Sequence, residues 1–314
     1  MKPKDFFPSD YINYTEIKLN LFNNILPKKK NILFFGSTGF IGKNLLNFFL
    51  IFEKKYRLNN NYLIISNNLS NFNISKNNSG FFTFISYDEF AIYKKKIKSV
   101  DYIFFLAGNI NLNKNDTYVS LSNTLNFFKK INFKRLIFTS SGAVYNKNND
   151  YANLKIKLED YFNNNFSKDK ILILRLFTFY GPFLCKNYPF AISSFFKNLI
   201  INKKFLIQKK NTIRTYMHTD QLIFFIFLIL NKRFSGKNTY DIGSIDKLYI
   251  SNFFSNICSI LKKKNIVQVS EKSLTMDIYY PKNNLRYLEK NMPKIEFKSS
   301  IKKYYYYLTN YPNC

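Results

Sequence analysis

Residues 30–50, KNILFFGSTGFIGKNLLNFFL, constrain the fold of this chain more than any other stretch. An apolar run from Ile32 to Phe35 stops at Gly36-Ser37-Thr38-Gly39-Phe40-Ile41-Gly42, and a helical pattern follows with Leu45, Leu46, Phe49 and Leu50 on one face. That order predicts a strand, a glycine turn and a helix. Gly36 permits the tight turn. Gly39 lets backbone N–H groups of the Gly39-Phe40-Ile41 segment approach a pyrophosphate, and Gly42 lets the helix pack close to the strand. The positive end of the helix dipole then faces the phosphates. Glycine turns before helices also serve plain packing, so the rest of the chain has to decide.

The chain has 314 residues, enough for one large or two modest domains with a buried core. Hydrophobic residues make up 46% and aromatics 19%, which excludes a disordered chain. A formal charge of +29 has the look of a nucleic-acid binder, yet only six of the 48 basic residues are Arg. Base readers rely on Arg for bidentate contacts. With Lys, Asn, Phe, Ile and Tyr abundant and Trp absent, the bias is what an AT-rich coding sequence gives, so no nucleic-acid partner is expected. The positive field would still attract an anionic cofactor and substrate. Of nine glycines, all but Gly80 and Gly236 fall in the motif stretches named here, which points to backbone need.

Cys185, Cys258 and Cys314 show neither metal nor disulfide-framework spacing and suggest a reducing compartment. No basic-then-apolar signal opens the chain. The longest apolar run, Leu222 to Leu230, falls far short of the ~20 residues that span a bilayer and reads as a buried helix. The expectation is a cytoplasmic protein with no membrane partner.

Residues 1–29, with Pro3, Pro8 and Pro27, read as an N-terminal extension packed on the outside of the core. Further strands are expected at 61–66, 81–86, 101–108, 135–145 and 170–177, alternating with amphipathic stretches such as 118–130. This is the α/β pattern of a Rossmann-type, doubly wound parallel sheet over 30–177. From 178 to 314 the alternation loosens, as expected of a smaller C-terminal lobe that is discontinuous and returns in part to the sheet.

Taken in order, GSTGFIG, FLAG (105–108), TSSGAVY (139–145), YANLK (151–155), LRLFTFYGP (174–182), RTYMHTDQL (214–222) and TYDIGS (239–244) carry a resemblance. The chain resembles the extended short-chain dehydrogenases/reductases of the NAD-dependent epimerase/dehydratase family, whose members modify nucleotide sugars. The G-x-x-G-x-x-G spacing is the form seen in short-chain dehydrogenases.

Two Tyr-x-x-x-Lys spacings occur, no more than chance delivers among 24 Tyr. Tyr14/Lys18 falls in the extension and reads as accidental, whereas Tyr151/Lys155 follows the fifth strand and opens a helix. One turn puts both side chains on the same face. An ammonium beside the phenol is expected to lower the Tyr pKa toward the working range of a general acid/base. The bland reading is a surface Tyr and Lys.

The resemblance implies that Lys155 also holds the nicotinamide ribose and that Ser141 hydrogen-bonds the reacting oxygen, Ser140 being the weaker candidate. It further implies cofactor contacts at Gly36, Gly39, Phe40, Ile41, Gly42 and Ala107, and substrate-diphosphate contacts at Thr178 and Arg214. Arg214 suits that role because its planar fork matches phosphate oxygens. His218 reads as structural, and no metal site is expected. Only ten positions separate Ser141 from Tyr151, where relatives insert a longer loop.

Gly142 and Ala143 stand where the family's dehydratases resemble Asp-Glu, so elimination of water is disfavoured and simple hydride transfer remains. The second strand ends at Ser66-Asn67 rather than at an acidic residue. A carboxylate would repel a 2′-phosphate, so NADP is favoured slightly over NAD, and Lys76 could add to it. The reading is reduction of a 4-keto nucleotide sugar, acting on a nucleotide-activated hexose and, by family, in surface-polysaccharide synthesis. A 4-epimerase with tightly held NAD is the alternative, and a non-catalytic cofactor-binding or scaffold protein the second. The Leu154, Leu158 and Tyr161 face reads either as a homodimer contact or as core.

Overall fold

The computed structural model describes residues 11–66, 81–106, 115–146, 149–209, 211–230, 232, 238–264, 266–270, 276–283 and 285–311. Asn67, Lys76, Ala107 and Cys314 lie outside them. The chain divides into two compact units, one of Phe22–Leu176 with Ile226–Tyr240, the other of Met1–Leu21, Phe177–Phe225 and Asp241–Cys314.

In the first unit the elements run β1 (Asn31–Phe35), α1 (Phe40–Tyr56), β2 (Asn61–Ile65), β3 (Phe82–Ile85), α2 (Tyr87–Tyr93), β4 (Ser99–Phe105), α3 (Asn115–Lys130), β5 (Asn132–Ser141), α4 (Asp150–Asn165) and β6 (Ile171–Leu176). Later elements are β7 (Phe179–Tyr180), α5 (Ala191–Ile200), β8 (Phe205–Ile207), β9 (Thr212–Arg214), β10 (Met217–His218), α6 (Thr219–Leu230), β11 (Thr239–Ile242), β12 (Leu248–Tyr249), α7 (Ile250–Ile260), β13 (Val267–Val269), β14 (Asp277–Tyr279), α8 (Leu285–Asn291) and α9 (Phe297–Asn310). The main sheet has seven strands in the order β11-β6-β5-β4-β1-β2-β3. The pairings from β3 through to β6 are parallel. This is the Rossmann-like α/β fold expected. The order reverses between β1 and β4, and open sheets of this kind bind ligands beyond the carboxyl ends of the strands at that reversal.

Register explains why so aromatic a sequence forms one core. Ile85, Ile65, Phe35, Phe105, Phe138 and Ile173 are in successive register across six strands and face one way. Phe90 of α2, Phe128 of α3 and Phe162 of α4 close over that row, all at most 4% exposed. Residues one position earlier point to the other face. There Phe34 and Phe104 stack at 4.7 Å, and Phe49 of α1 and Phe227 of α6 meet at 4.9 Å. Leu158 belongs to the core, and Leu154 and Tyr161 pack against the same cluster.

The fifth strand stops four residues sooner than its apolar run suggests. Ser141 accepts the Ala143 N–H at 3.1 Å, and Gly142–Tyr145 turn into a 3-10 helix. The apolar run at 222–230 is part of α6, with Leu222, Ile223, Phe225 and Leu230 all at 0% exposure. Among the described residues no helix is long and apolar enough to cross a membrane. Cys258 is free and buried, and Cys185 is disulfide-bonded, a bond the spacing did not suggest.

In the second unit the N-terminal residues contribute to the core instead of lying outside it. Tyr11 is fully buried and stacks on Phe183 at 5.6 Å, and Tyr14 meets Tyr307 of α9 edge-on at 5.4 Å. The buried Asp220 carboxylate accepts the backbone N–H groups of Glu16 at 2.5 Å and Ile17 at 3.4 Å. Removing that acceptor strands two donors. Asp220→Ala should therefore destabilise the protein by about 1–3 kcal/mol, read as a lower unfolding midpoint in denaturant.

Candidate active site

The carboxyl edge of the parallel sheet gathers the groups that chemistry needs. At the end of β1 the three glycines have three distinct geometries. Gly36 has φ 78, a left-handed conformation that favours glycine. A Cβ on Gly42 would lie 2.3 Å from Ser37 Cα and 2.5 Å from Ser37 O, so α1 starts in backbone contact with the turn. A Cβ on Gly39 would make one ordinary van der Waals contact, 3.9 Å from Gly36 O, so a side chain there is not excluded by the fold.

Gly39 is the N-cap of α1 and no side chain caps it. The first N–H groups of a helix, here those of Phe40, Ile41 and Gly42, have no partner within the helix. A glycine at the helix start, uncapped N–H groups and the positive dipole end fit a dinucleotide diphosphate. Ser66, which follows β2, is buried, and its N–H donates to Ile85 O at 3.1 Å. Ser66 itself carries no carboxylate.

Ser141 is the last residue of β5, and Tyr151 is the second residue of α4. The helix starts there because Asn149 caps it, accepting the Ala152 N–H at 2.8 Å. The Tyr151 hydroxyl is hydrogen-bonded to Ser141, so the short ten-residue separation brings the two hydroxyls together. Lys155, one turn on and 2% exposed, donates from Nζ to Thr139 O at 2.8 Å. Its ammonium lies 4.9 Å from the Phe138 ring centre and 5.7 Å from that of Tyr151.

The electrostatics differ from the sequence expectation. Burial pushes the Tyr151 phenol above its ordinary value, and the Ser141 hydrogen bond only pulls back against that. Desolvation of phenolate outweighs any help from the lysine. Lys155 is itself brought down to about 8 by burial, while Glu159 works to raise it. The site thus holds a neutral phenol, a serine hydroxyl bonded to it and a buried cation behind. Such a set can give a proton to an oxygen placed before Tyr151, or take one from it.

Three participants, Glu159, Arg175 and Tyr145, were not singled out from the sequence. Glu159 is buried and takes a bidentate pair from Arg175 of β6, with Nη2 to Oε2 at 2.5 Å. Ser140 Oγ donates to the same carboxylate at 2.5 Å, and Arg175 Nη1 donates to the Tyr145 hydroxyl at 3.0 Å. Two signals were present: Glu159 recurs one turn after Lys155, and Arg175 is one of six arginines, set in the apolar run ILILRLF.

Thr178 and Arg214 lie in the second unit. The Thr178 carbonyl accepts the Met217 N–H at 3.0 Å. Arg214 is held by Asp277, through Oδ2 at 2.8 Å and the carbonyl at 3.0 Å, and lies over the Tyr279 ring at 5.7 Å. The Arg214 hydrogen bond keeps the Asp277 carboxyl below its ordinary range. His218 is buried, accepts the Asp220 N–H on Nδ1 at 3.2 Å and meets Tyr180 edge-on. Burial holds it down to about 4, hence neutral. Among the described residues no group of acidic, His and Cys side chains could hold a metal ion.

The NAD dependent epimerase/dehydratase family matches residues 32–243. Among solved structures, an epimerase of Methanothermobacter thermautotrophicus is 16% identical over 93% of this chain and 95% of that one, with a TM-score of 0.70. The UDP-N-acetylglucosamine 4-epimerase of Methanobrevibacter ruminantium, in complex with UDP-N-acetylmuramic acid, is 20% identical over 90% and 99%, at 0.68. The dTDP-glucose 4,6-dehydratase of Bacillus anthracis, in complex with NAD, is 18% identical over 89% and 96%, also at 0.68. No curated protein matches the chain in sequence.

Proposed function

The chain belongs to the NAD-dependent epimerase/dehydratase family, and from that premise we propose that it is an NAD(P)-dependent oxidoreductase acting on a nucleotide-activated hexose, reducing a 4-keto sugar. The observation that carries the proposal is the hydrogen bond between Tyr151 and Ser141 at the carboxyl edge of the sheet, with Lys155 buried one turn behind. A bound nicotinamide supplies hydride. Tyr151 delivers a proton to the carbonyl oxygen as it gains charge, Ser141 donates a hydrogen bond to that oxygen, and the Lys155 cation favours the phenolate left behind. Gly36, Gly39, Phe40, Ile41 and Gly42 form the diphosphate cradle in this reading, and Thr178 and Arg214 contact the substrate diphosphate.

Gly142 and Ala143 form a 3-10 turn and carry no ionisable group. That supports hydride transfer without elimination of water. The absence of an acid at Ser66 supports NADP. The second reading, 4-epimerisation with retained NAD, draws support from the epimerases and the NAD complex among the structural relatives.

Native mass spectrometry of freshly purified protein, followed by NADPH and NADH titration, separates them. We expect an empty protein that binds NADPH more tightly and consumes it with a 4-keto nucleotide sugar. Stoichiometric NAD carried through purification, with sugar interconversion and no added reductant, would establish the epimerase instead. Binding of neither cofactor would remove the enzyme and leave the fold.

A further inference from the structure

On α4, Tyr151, Lys155 and Glu159 follow at successive turns, and the last of them connects three elements. Its carboxylate holds β6 through Arg175 Nε at 3.0 Å and Nη2 at 2.5 Å, and holds β5 through Ser140 Oγ at 2.5 Å. Ser140 sits between Ser141, which meets the Tyr151 hydroxyl, and Thr139, whose carbonyl takes the Lys155 ammonium. The strand end and the helix that carry the reacting groups are thus cross-linked at one buried carboxylate. A bare ion pair would need only Arg175. The bond to Ser140 is additional, and it lands between the two residues whose placement the chemistry depends on.

We propose that Glu159 is a positioning residue for the Ser141, Tyr151 and Lys155 group, tying the β5 end to α4 one turn beyond the buried lysine. The inference rests on the oxidoreductase reading for its use in turnover, though not for the geometry. Among the described residues, the groups facing the Lys155 ammonium come from two elements. From α4 they are Tyr151 and Glu159, and from β5 they are the Thr139 carbonyl and the Phe138 ring. Arg175 of β6 is paired with Glu159. Without the carboxylate, burial acts on Lys155 unopposed.

The test uses full-length protein labelled with 13C at lysine Cε, with the Lys155 resonance assigned by its loss in Lys155→Arg. In the cofactor-free protein we expect Lys155 to titrate near 8, about one pH unit lower in Glu159→Gln, and unmoved in Ser140→Ala. Both variants should lose kcat, Glu159→Gln by at least about tenfold and Ser140→Ala by less, with KM for the cofactor little changed. A merely structural pair would lower the melting temperature and leave the titration where it was. If Glu159→Gln fails to fold, Glu159→Gln/Arg175→Gln removes both charges of the pair and is read in its place.

An unshifted Lys155 midpoint in a folded Glu159 variant overturns the inference, whatever the turnover. Wild-type activity in Ser140→Ala overturns the tether. Full activity in Tyr151→Phe would instead overturn the oxidoreductase reading and leave the Lys155 titration to judge Glu159 alone.

Discussion

Tyr151→Phe should lower turnover by about 10²–10⁴-fold while leaving cofactor binding within experimental error. The substitution removes one oxygen, the one bonded to Ser141, and keeps the ring packed beside Lys155. In this site the phenol is held protonated by burial, so it is poised to donate in the reducing direction. The reverse direction needs phenolate and should gain rate as pH rises. Steady-state kinetics with NADPH and isothermal titration of the cofactor check both halves. Unchanged biological activity in the variant would favour a binding or scaffold role for the fold.

Gly42→Ala should have the larger effect on the fold itself. Its Cβ would fall 2.3 Å from Ser37 Cα and 2.6 Å from Ser37 C. Those are backbone atoms of the turn and cannot rotate away. Either α1 tilts off the turn or the turn deforms, and overpacking of this kind costs about 1–3 kcal/mol or more. Cofactor affinity should fall with stability, because the helix start that would face the diphosphate moves. Gly39→Ala is the contrast: its methyl makes one ordinary van der Waals contact, 3.9 Å from Gly36 O, and nothing has to shift. The melting temperature should hardly change, and cofactor binding should weaken. Thermal melts with and without NADPH distinguish the two. Equal loss of stability in both variants would contradict the separate roles given to the two glycines.

Local signals carried much of the reading. The glycine spacing shows directly in residues 36–42, because a left-handed turn and a close helix approach each demand the residue without a Cβ. The parallel strands were legible because a buried strand reads as an apolar run, and short runs such as Ile32–Phe35, Tyr62–Ile65 and Ile171–Leu174 recur along residues 32–177. Tyr151 and Lys155 are one turn apart on any helix.

Where a strand ends was harder to see, since SSGAVY is as apolar after Ser141 as before it. The hydroxyl bond to the Ala143 N–H makes the break. N-terminal burial was missed for a related reason: what Tyr11 and Tyr14 pack against lies about 170 and 290 residues downstream, at Phe183 and Tyr307.

The sequence by itself determined the α/β class, the glycine turn and the pairing of Tyr151 with Lys155, because each depends on residues within a turn or two of one another. Only the tertiary structure decided the charge state of that pair and its support. Burial raises the phenol and lowers the amine, the opposite of what an exposed Tyr-Lys neighbour would show for the phenol. The Glu159 carboxylate that counters it for the lysine is joined to Ser140, 19 residues earlier, and to Arg175, 16 residues later. Desolvation is a property of everything packed around a group, and no local spacing encodes it.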